Sequence, residues 1–207
     1  MPLAVDRMHP APALITELAS RLRAGGVMAV PTDTVYGIAA DALSDSAVAR
    51  VYACKGRTFN KPLPVVVRDR AQARSVGRDM PQIFERLADA FWPGPLTLLV
   101  AAAPHLPRAL TAGTGTIAMR QPDLPLLLAL LEACGFPLTA TSANRSGEPE
   151  CLTAAAVAEQ FGDALDIIVD GGASTQALPS TIVDLTQPTP RIVRAGAIPA
   201  NRLADFW

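Results

Sequence analysis

Short apolar runs alternate with segments of helical period along almost the whole chain, and polar loops separate them. Strands that alternate with helices make an α/β domain, so this alternation narrows the fold more than any other feature. Leu14, Ile15, Leu18 and Leu22 share one face over residues 12–25, and Gly25-Gly26 stop that helix. Val27–Pro31 reads as a buried strand, and Thr32–Gly37 as a polar loop. Ser44 caps a helix through Val48, Val51 and Tyr52. Lys55–Pro62 is a second polar loop before a strand at Leu63–Val67. A helix over residues 80–91 turns Ile83, Phe84, Leu87 and Phe91 inward, and Leu96–Ala101 follows as a strand. The second half repeats the pattern: strand Thr116–Met119, helix Leu124–Cys134, strand Leu138–Thr141, polar loop Ser142–Gly147, a Thr153-capped helix through Phe161, and strand Leu165–Val169. Thr181–Leu185 and Arg191–Val193 close as a β-ribbon. The expected architecture is α/β, a twisted mixed sheet flanked by helices.

Composition excludes several classes. Half of the 207 residues are hydrophobic and 18% are charged, so the chain can bury a core and is not disordered. It reads as one domain, residues 1–207, with its core over about 12–198. The longest apolar runs, Leu96–Ala103 and Leu124–Leu131, are too short to span a bilayer, so no membrane partner is expected. Asp6, Arg7 and two early prolines precede any apolar run, which argues against a signal peptide and for a cytoplasmic location.

Charge and ligand counts exclude more. Eighteen basic and nineteen acidic side chains give a net charge of −1, unlike a dedicated nucleic-acid binder. Cys54, Cys134 and Cys151 lie far apart with no CxxC spacing, which disfavours both a zinc site and a disulfide framework. A His-based catalytic engine would have to use His105, since His9 falls in a loose tail; His105 lies in Pro104-His105-Leu106-Pro107, a surface loop. The phosphate-binding GxxxxGK[ST] pattern is missing. Gly113-Thr114-Gly115-Thr116-Ile117-Ala118 has dinucleotide-motif spacing but leads into a strand, not a helix.

What remains is a set of polar loops. Pro31-Thr32-Asp33-Thr34-Val35-Tyr36-Gly37 follows a buried strand; alone it is an ordinary Asx or Ser/Thr turn, though its three hydroxyls and one acid could hydrogen-bond a small polar ligand. The cations of Lys55-Gly56-Arg57-Thr58-Phe59-Asn60-Lys61-Pro62 make either an anion cradle or a solvated basic turn. Thr139–Gly147 offers small hydroxyls and amides, and Pro179–Asp184 lies close in sequence to Arg194. Arg120 adds a cation at a strand end. Hydroxyls, amides and cations with few carboxylates fit an anionic small molecule and phosphoryl or nucleotidyl transfer, where positioning and charge neutralisation dominate.

Six blocks in order, Pro31–Gly37, Lys55-Gly56-Arg57, Lys61-Pro62-Leu63, Trp92–Thr97, Ser142-Ala143-Asn144-x-Ser146-Gly147 and Ser180–Asp184, resemble the YrdC/TsaC family of L-threonylcarbamoyladenylate synthases. The resemblance runs from about Gly26 to Gly196, and the family's KxR…SxN signature is met by Lys55, Arg57, Ser142 and Asn144. It implies a large concave, positive cavity. It also implies ATP, L-threonine and bicarbonate as substrates, with Mg²⁺ riding on the triphosphate. The products would be threonylcarbamoyl-AMP and pyrophosphate, feeding N6-threonylcarbamoyladenosine at tRNA position 37 with TsaD, TsaB and TsaE-type proteins downstream; direct tRNA contact is implied only weakly.

The same resemblance assigns roles. Lys55 and Arg57 are the catalytic cations, holding bicarbonate and phosphate oxygens together. Thr32, Tyr36, Arg120 and Ser180 seat threonine and bicarbonate. Ser142 and Asn144, with Lys61 and Arg194, hold the nucleotide beside Lys55 and Arg57. No protein metal ligands are implied. Some members carry a His where this chain has Val65, Val66 and Val67, and some carry a second domain, so the chain is expected to be the short form. Two alternatives stay open: a non-catalytic nucleotide- or RNA-binding module of the same fold, as in YciO-like relatives, and carbamoyl transfer to another acceptor.

Overall fold

In the computed structural model, the described residues are 1–59, 61–174 and 178–207; Asn60 of the Lys55–Pro62 loop lies outside them. The chain opens with β1 (Leu3–Ala4), α1 (Pro12–Arg23), β2 (Met28–Val30) and β3 (Gly37–Ala39). α1 starts at a proline in its first turn and is followed by Gly25 at φ 85, a left-handed stop that glycine adopts without strain. Next come α2 (Asp45–Lys55), β4 (Val65–Val66), α3 (Arg70–Val76), β5 (Gly77–Arg78) and α4 (Gln82–Phe91). Ser44 Oγ accepts the Ala47 N–H at 3.3 Å and Asp69 Oδ1 the Gln72 N–H at 2.8 Å, so α2 and α3 both carry side-chain N-caps. The remainder is β6 (Leu96–Ala102), β7 (Thr116–Arg120), α5 (Pro125–Cys134), β8 (Leu138–Thr139), β9 (Thr141–Ser142), α6 (Ala154–Phe161), β10 (Ile167–Asp170), β11 (Thr181–Asp184), β12 (Arg191–Arg194) and α7 (Ala200–Ala204).

The mixed strand pairing expected from the sequence is divided between two sheets. One runs β1-β10-β2-β3-β9, parallel up to β2 and antiparallel beyond it. The other runs β12-β11-β6-β7-β4-β8, with β5 also on β6. The apolar run Leu138–Thr141, expected as one strand, is split between them: Thr139 opposes Val65 in the larger sheet, and Thr141 opposes Ile38 in the smaller. Ala140, the residue between, donates its N–H to the Pro64 carbonyl at 2.9 Å. The two sheets therefore diverge from one residue, and a concavity opens between them.

Other expectations are corrected in the same way. Gly37 begins β3 and is not only a loop end, because its pairing with Val30 and Ser142 is long-range. The segment around His9 is not a loose tail: β1 pairs with β10, and the Asp6 carboxylate accepts the N–H groups of Met8 and His9. Helix α3 was not anticipated, since its seven residues bury only Ala73 and Val76.

Two apolar clusters hold the layers together. α1 and α5 pack on each other and on the smaller sheet through Leu18, Leu22, Leu127, Leu130, Leu131 and Met28. Tyr36, Ile38, Val51, Tyr52, Phe84 and Leu98 belong to the larger cluster, which binds the second sheet to α2, α4 and α6. Each such fully buried Leu contributes about 1.5–3 kcal/mol by its removal from water.

Candidate functional site

Between the sheets lies a cavity of about 280 Å³. Its walls come from the β2–β3 loop, the segment after α2, the start of β6, the end of β7, the β8–β9 junction and the β11–β12 ribbon. Seven of the residues anticipated from sequence line it: Thr32, Tyr36, Arg57, Arg120, Ser142, Ser180 and Arg194.

The β2–β3 loop is the Ser/Thr turn its composition suggested, and it is also a cavity wall. Thr32 Oγ1 accepts the Thr34 N–H at 3.0 Å and donates to the Val35 carbonyl at 2.7 Å. Its hydroxyl shapes the loop before it can meet any ligand. Tyr36 is fully buried, and its hydroxyl donates to the Gly172 carbonyl at 2.7 Å. Burial raises its phenol pKa. Tyr36 lines the cavity, and its hydroxyl braces the segment after β10.

Lys55, the last residue of α2, is 3% exposed and does not line the cavity. Gly56 at φ 58 ends the helix in the left-handed region and swings Arg57 away from it. The Lys55 Nζ donates to the carbonyls of Ser142 at 2.5 Å and Asn144 at 2.7 Å, and the Lys55 carbonyl accepts the Ser146 N–H at 3.1 Å. Burial, then the neighbouring Arg57, lowers its pKa to about 8. Arg57 reaches Thr141 Oγ1 at 3.5 Å and the Pro62 carbonyl at 3.3 Å, its Nε is buried without a partner among the described residues, and burial lowers its pKa. The KxR and SxN segments are thus one assembly.

Asn144 and Lys61 depart from expectation. The Asn144 amide is spent within its own loop: Oδ1 accepts from Ser142 Oγ at 2.6 Å, and Nδ2 donates to the Glu148 carbonyl at 2.6 Å. Lys61 is exposed, and neither residue lines the cavity.

On the opposite wall, Arg194 Nε and Nη2 donate to the Ser180 carbonyl, and Nη2 to Ser180 Oγ at 2.9 Å; Ser180 Oγ lies 2.6 Å from Thr97 Oγ1. This seat requires Gly196, where a Cβ would stand 2.3 Å from the Pro179 carbonyl oxygen. Burial lowers the pKa of Arg194. Arg120, 6% exposed, is ion-paired with Asp33 at 2.5 Å.

Sequence reasoning gives Asp33 and Thr34 a ligand contact only as part of their loop, and gives Thr97, Thr141 and Glu150 no role of their own; Thr97 and Thr141 fall inside the polar segments and motif blocks, so their position was the available signal. Glu150 lines the cavity and stabilises the charged forms of Lys55 and Arg194; nothing in the sequence pointed to it. Among the described residues, no three His, Cys, Asp or Glu side chains cluster as a metal site, and no helix is long and apolar enough to cross a membrane.

The sequence profile of the Sua5/YciO/YrdC family, described as "Telomere recombination", matches residues 20–196. The chain belongs to this family. A Pyrococcus abyssi member named threonylcarbamoyl-AMP synthase is 38% identical over 182 residues, 88% of this chain and 54% of its own length. A Pseudomonas aeruginosa member of the same name is 38% identical over 174 residues, 84% of this chain and 92% of its own. The crystal structure of P. abyssi Sua5 complexed with L-threonine superposes with a TM-score of 0.96 at 36% identity, covering 100% of this chain and 60% of that one. This Sua5/YciO/YrdC chain therefore spans little more than half the length of its P. abyssi relative.

Proposed function

We propose that the chain is a threonylcarbamoyl-AMP synthase, using L-threonine, bicarbonate and ATP and releasing pyrophosphate for the N6-threonylcarbamoyladenosine modification of tRNA. The observation that carries this reading is the convergence of Arg57, Arg120, Arg194, Ser142 and Ser180 on one cavity. The synthase name shared by the relatives and the L-threonine bound to P. abyssi Sua5 support it.

The chemistry needs what this cavity supplies. Threonine's neutral amine forms an N–C bond to the carbon of CO2 with loss of a proton, or to that of bicarbonate with loss of water, giving the carbamate. A carbamate oxygen then attacks the α-phosphorus of ATP, the bond to the β-phosphate oxygen breaks, and pyrophosphate leaves. Every partner is anionic at some stage, and cations fixed in a poorly solvated cavity offset the repulsion without reorganising. Arg57 and Arg194 take phosphate oxygens; Ser142 orients the nucleotide; Arg120 takes the threonine carboxylate, with Ser180 and the Thr32 turn shaping its seat. Lys55 and Asn144 act by holding the Ser142 loop, and Lys61 reaches the phosphates from the rim. Mg²⁺ would ride on the triphosphate and offset its charge, with the phosphates supplying most of its ligands; among the described lining residues, Glu150 is the carboxylate that could contribute to holding it.

The test incubates the protein with ATP, L-threonine and bicarbonate and follows pyrophosphate and adenylate products by mass spectrometry. A threonine-dependent adenylate is expected. Nucleotide binding without turnover would favour the non-catalytic module, and turnover with another amine the carbamoyl-transfer alternative.

A further inference from the structure

The three arginines that line the cavity are not equivalent. Among the described residues, Arg57 and Arg194 have no carboxylate partner; they donate to the neutral oxygens of Thr141, Pro62 and Ser180. Arg120 is neutralised. Its Nη1 donates to Asp33 Oδ1 at 2.5 Å, with the two side chains 7% and 10% exposed, and its Nη2 donates to Thr34 Oγ1 at 3.3 Å. Asp33 Oδ2 is buried and accepts no hydrogen bond from the described residues. A guanidinium has five N–H donors, so these two contacts leave part of the fork for the cavity that Arg120 lines.

We infer that Asp33 determines which class of acid the Arg120 end of the cavity accepts, by making it selective for a zwitterionic α-amino acid over a simple anion. An unpaired buried guanidinium attracts any anion, and a triphosphate most strongly. The Asp33 carboxylate cancels that attraction locally, so a bare carboxylate gains little there and a polyphosphate is repelled. A zwitterion suits the pair. Its carboxylate takes the remaining Arg120 donors, and its ammonium lies in the field of the Asp33 carboxylate, which stands behind Arg120 and does not itself line the cavity. Arg57 has no carboxylate partner among the described residues, and Arg194 feels Glu150 without forming an ion pair with it, so both are left to the polyanion. Rejection of the wrong ligand by a built-in repulsive group is how specificity exceeds affinity. Asp33 is here a positioning and specificity residue acting through Arg120. The inference rests on the proposed use of an amino acid as substrate and adds the residue that selects it.

The experiment measures binding of L-threonine and of its deamino analogue, 3-hydroxybutyrate, by calorimetry without nucleotide. The wild-type protein is expected to prefer threonine at least roughly tenfold, the scale of one charge-assisted contact. In Asp33→Asn, which keeps an acceptor for Arg120 but removes the charge, the ratio falls toward one, through weaker threonine binding and stronger 3-hydroxybutyrate binding. Asp33→Glu restores the preference. A purely structural role would weaken both ligands together and leave the ratio unchanged. The inference is overturned if the wild type binds the two acids equally, a comparison that needs no variant, or if folded Asp33→Asn keeps the wild-type ratio. Failure of the wild type to bind either acid overturns the amino-acid reading itself, and this inference with it.

Discussion

The Lys55 ammonium donates to the Ser142 carbonyl at 2.5 Å, across 87 residues of sequence, and so binds the end of α2 to the loop that carries the SxN segment. Its partner in the signature, Arg57, is the one that lines the cavity. Two cations two residues apart thus have different work: one builds the wall and the other faces what enters.

Lys55→Ala is therefore expected to lower the synthesis rate by roughly 10²–10³, the scale of one lost charged contact, while loosening the loop. Hydrogen exchange over residues 142–147 should accelerate in the variant. A rate loss with unchanged exchange there would place Lys55 on the substrate and not on the loop.

The same ammonium makes stability depend on pH. Its pKa is 10.5 in an unperturbed lysine and about 8 in the fold. Below about 8 both states hold the proton and burial of the charge costs in full. Above it the folded protein releases the proton first, the unfolded chain binds more protons, and stability rises with pH until about 10.5. Melting curves of wild type and Lys55→Met between pH 7.5 and 9.5 should show the wild type gaining on the variant, by up to about 3 kcal/mol over the full range. Parallel curves would contradict the assignment.

Arg57→Ala should separate activity from stability more cleanly. Among the described residues its Nε has no partner and its other bonds are long, at 3.3 and 3.5 Å, so removing it costs the fold little. The expected result is a melting point within a few degrees of wild type and a rate lowered by roughly 10²–10³. A large fall in melting point would show a structural brace instead.

For Thr32→Ala we expect a higher KM for threonine, with kcat less affected, because the hydroxyl shapes the seat and does not meet developing charge. Stability should fall by about 1 kcal/mol, since the Thr34 N–H loses its acceptor. Thr32→Ser, which keeps that oxygen, should recover both. Kinetics and melting on the pair decide it.

The cysteines should be dispensable. Burial pushes the Cys134 thiol up to about 12 and raises those of Cys54 and Cys151, so none offers a ready thiolate at neutral pH. Ser variants of each should keep activity, and iodoacetamide at pH 7 should leave the wild type active. Inactivation by a single alkylation at Cys54, beside Lys55, would reveal a nucleophile.

Much of this molecule is legible in local sequence. The caps Ser44 and Thr153, the stops at Gly25 and Gly56, and the apolar runs at Met28–Val30 and Leu96–Ala102 act within a few residues of themselves, so their elements lie close to where periodicity placed them. The polar segments between the elements were legible for the same reason, and seven of the expected site residues do line one cavity. Composition and local pattern carry no information on long-range pairing. Whether Thr139 and Thr141 lie in one sheet or two depends on Val65 and Ile38, far away in the chain, and the cavity exists because they lie in two. Which cation faces that cavity is likewise decided by the carbonyls that Lys55 meets and the carboxylate that Arg120 meets. The sequence determined which chemical groups are available; the tertiary structure decided which of them were already satisfied by the protein and which were left to bind a ligand, because hydrogen-bond partners and charge neutralisation depend on contacts that only folding creates.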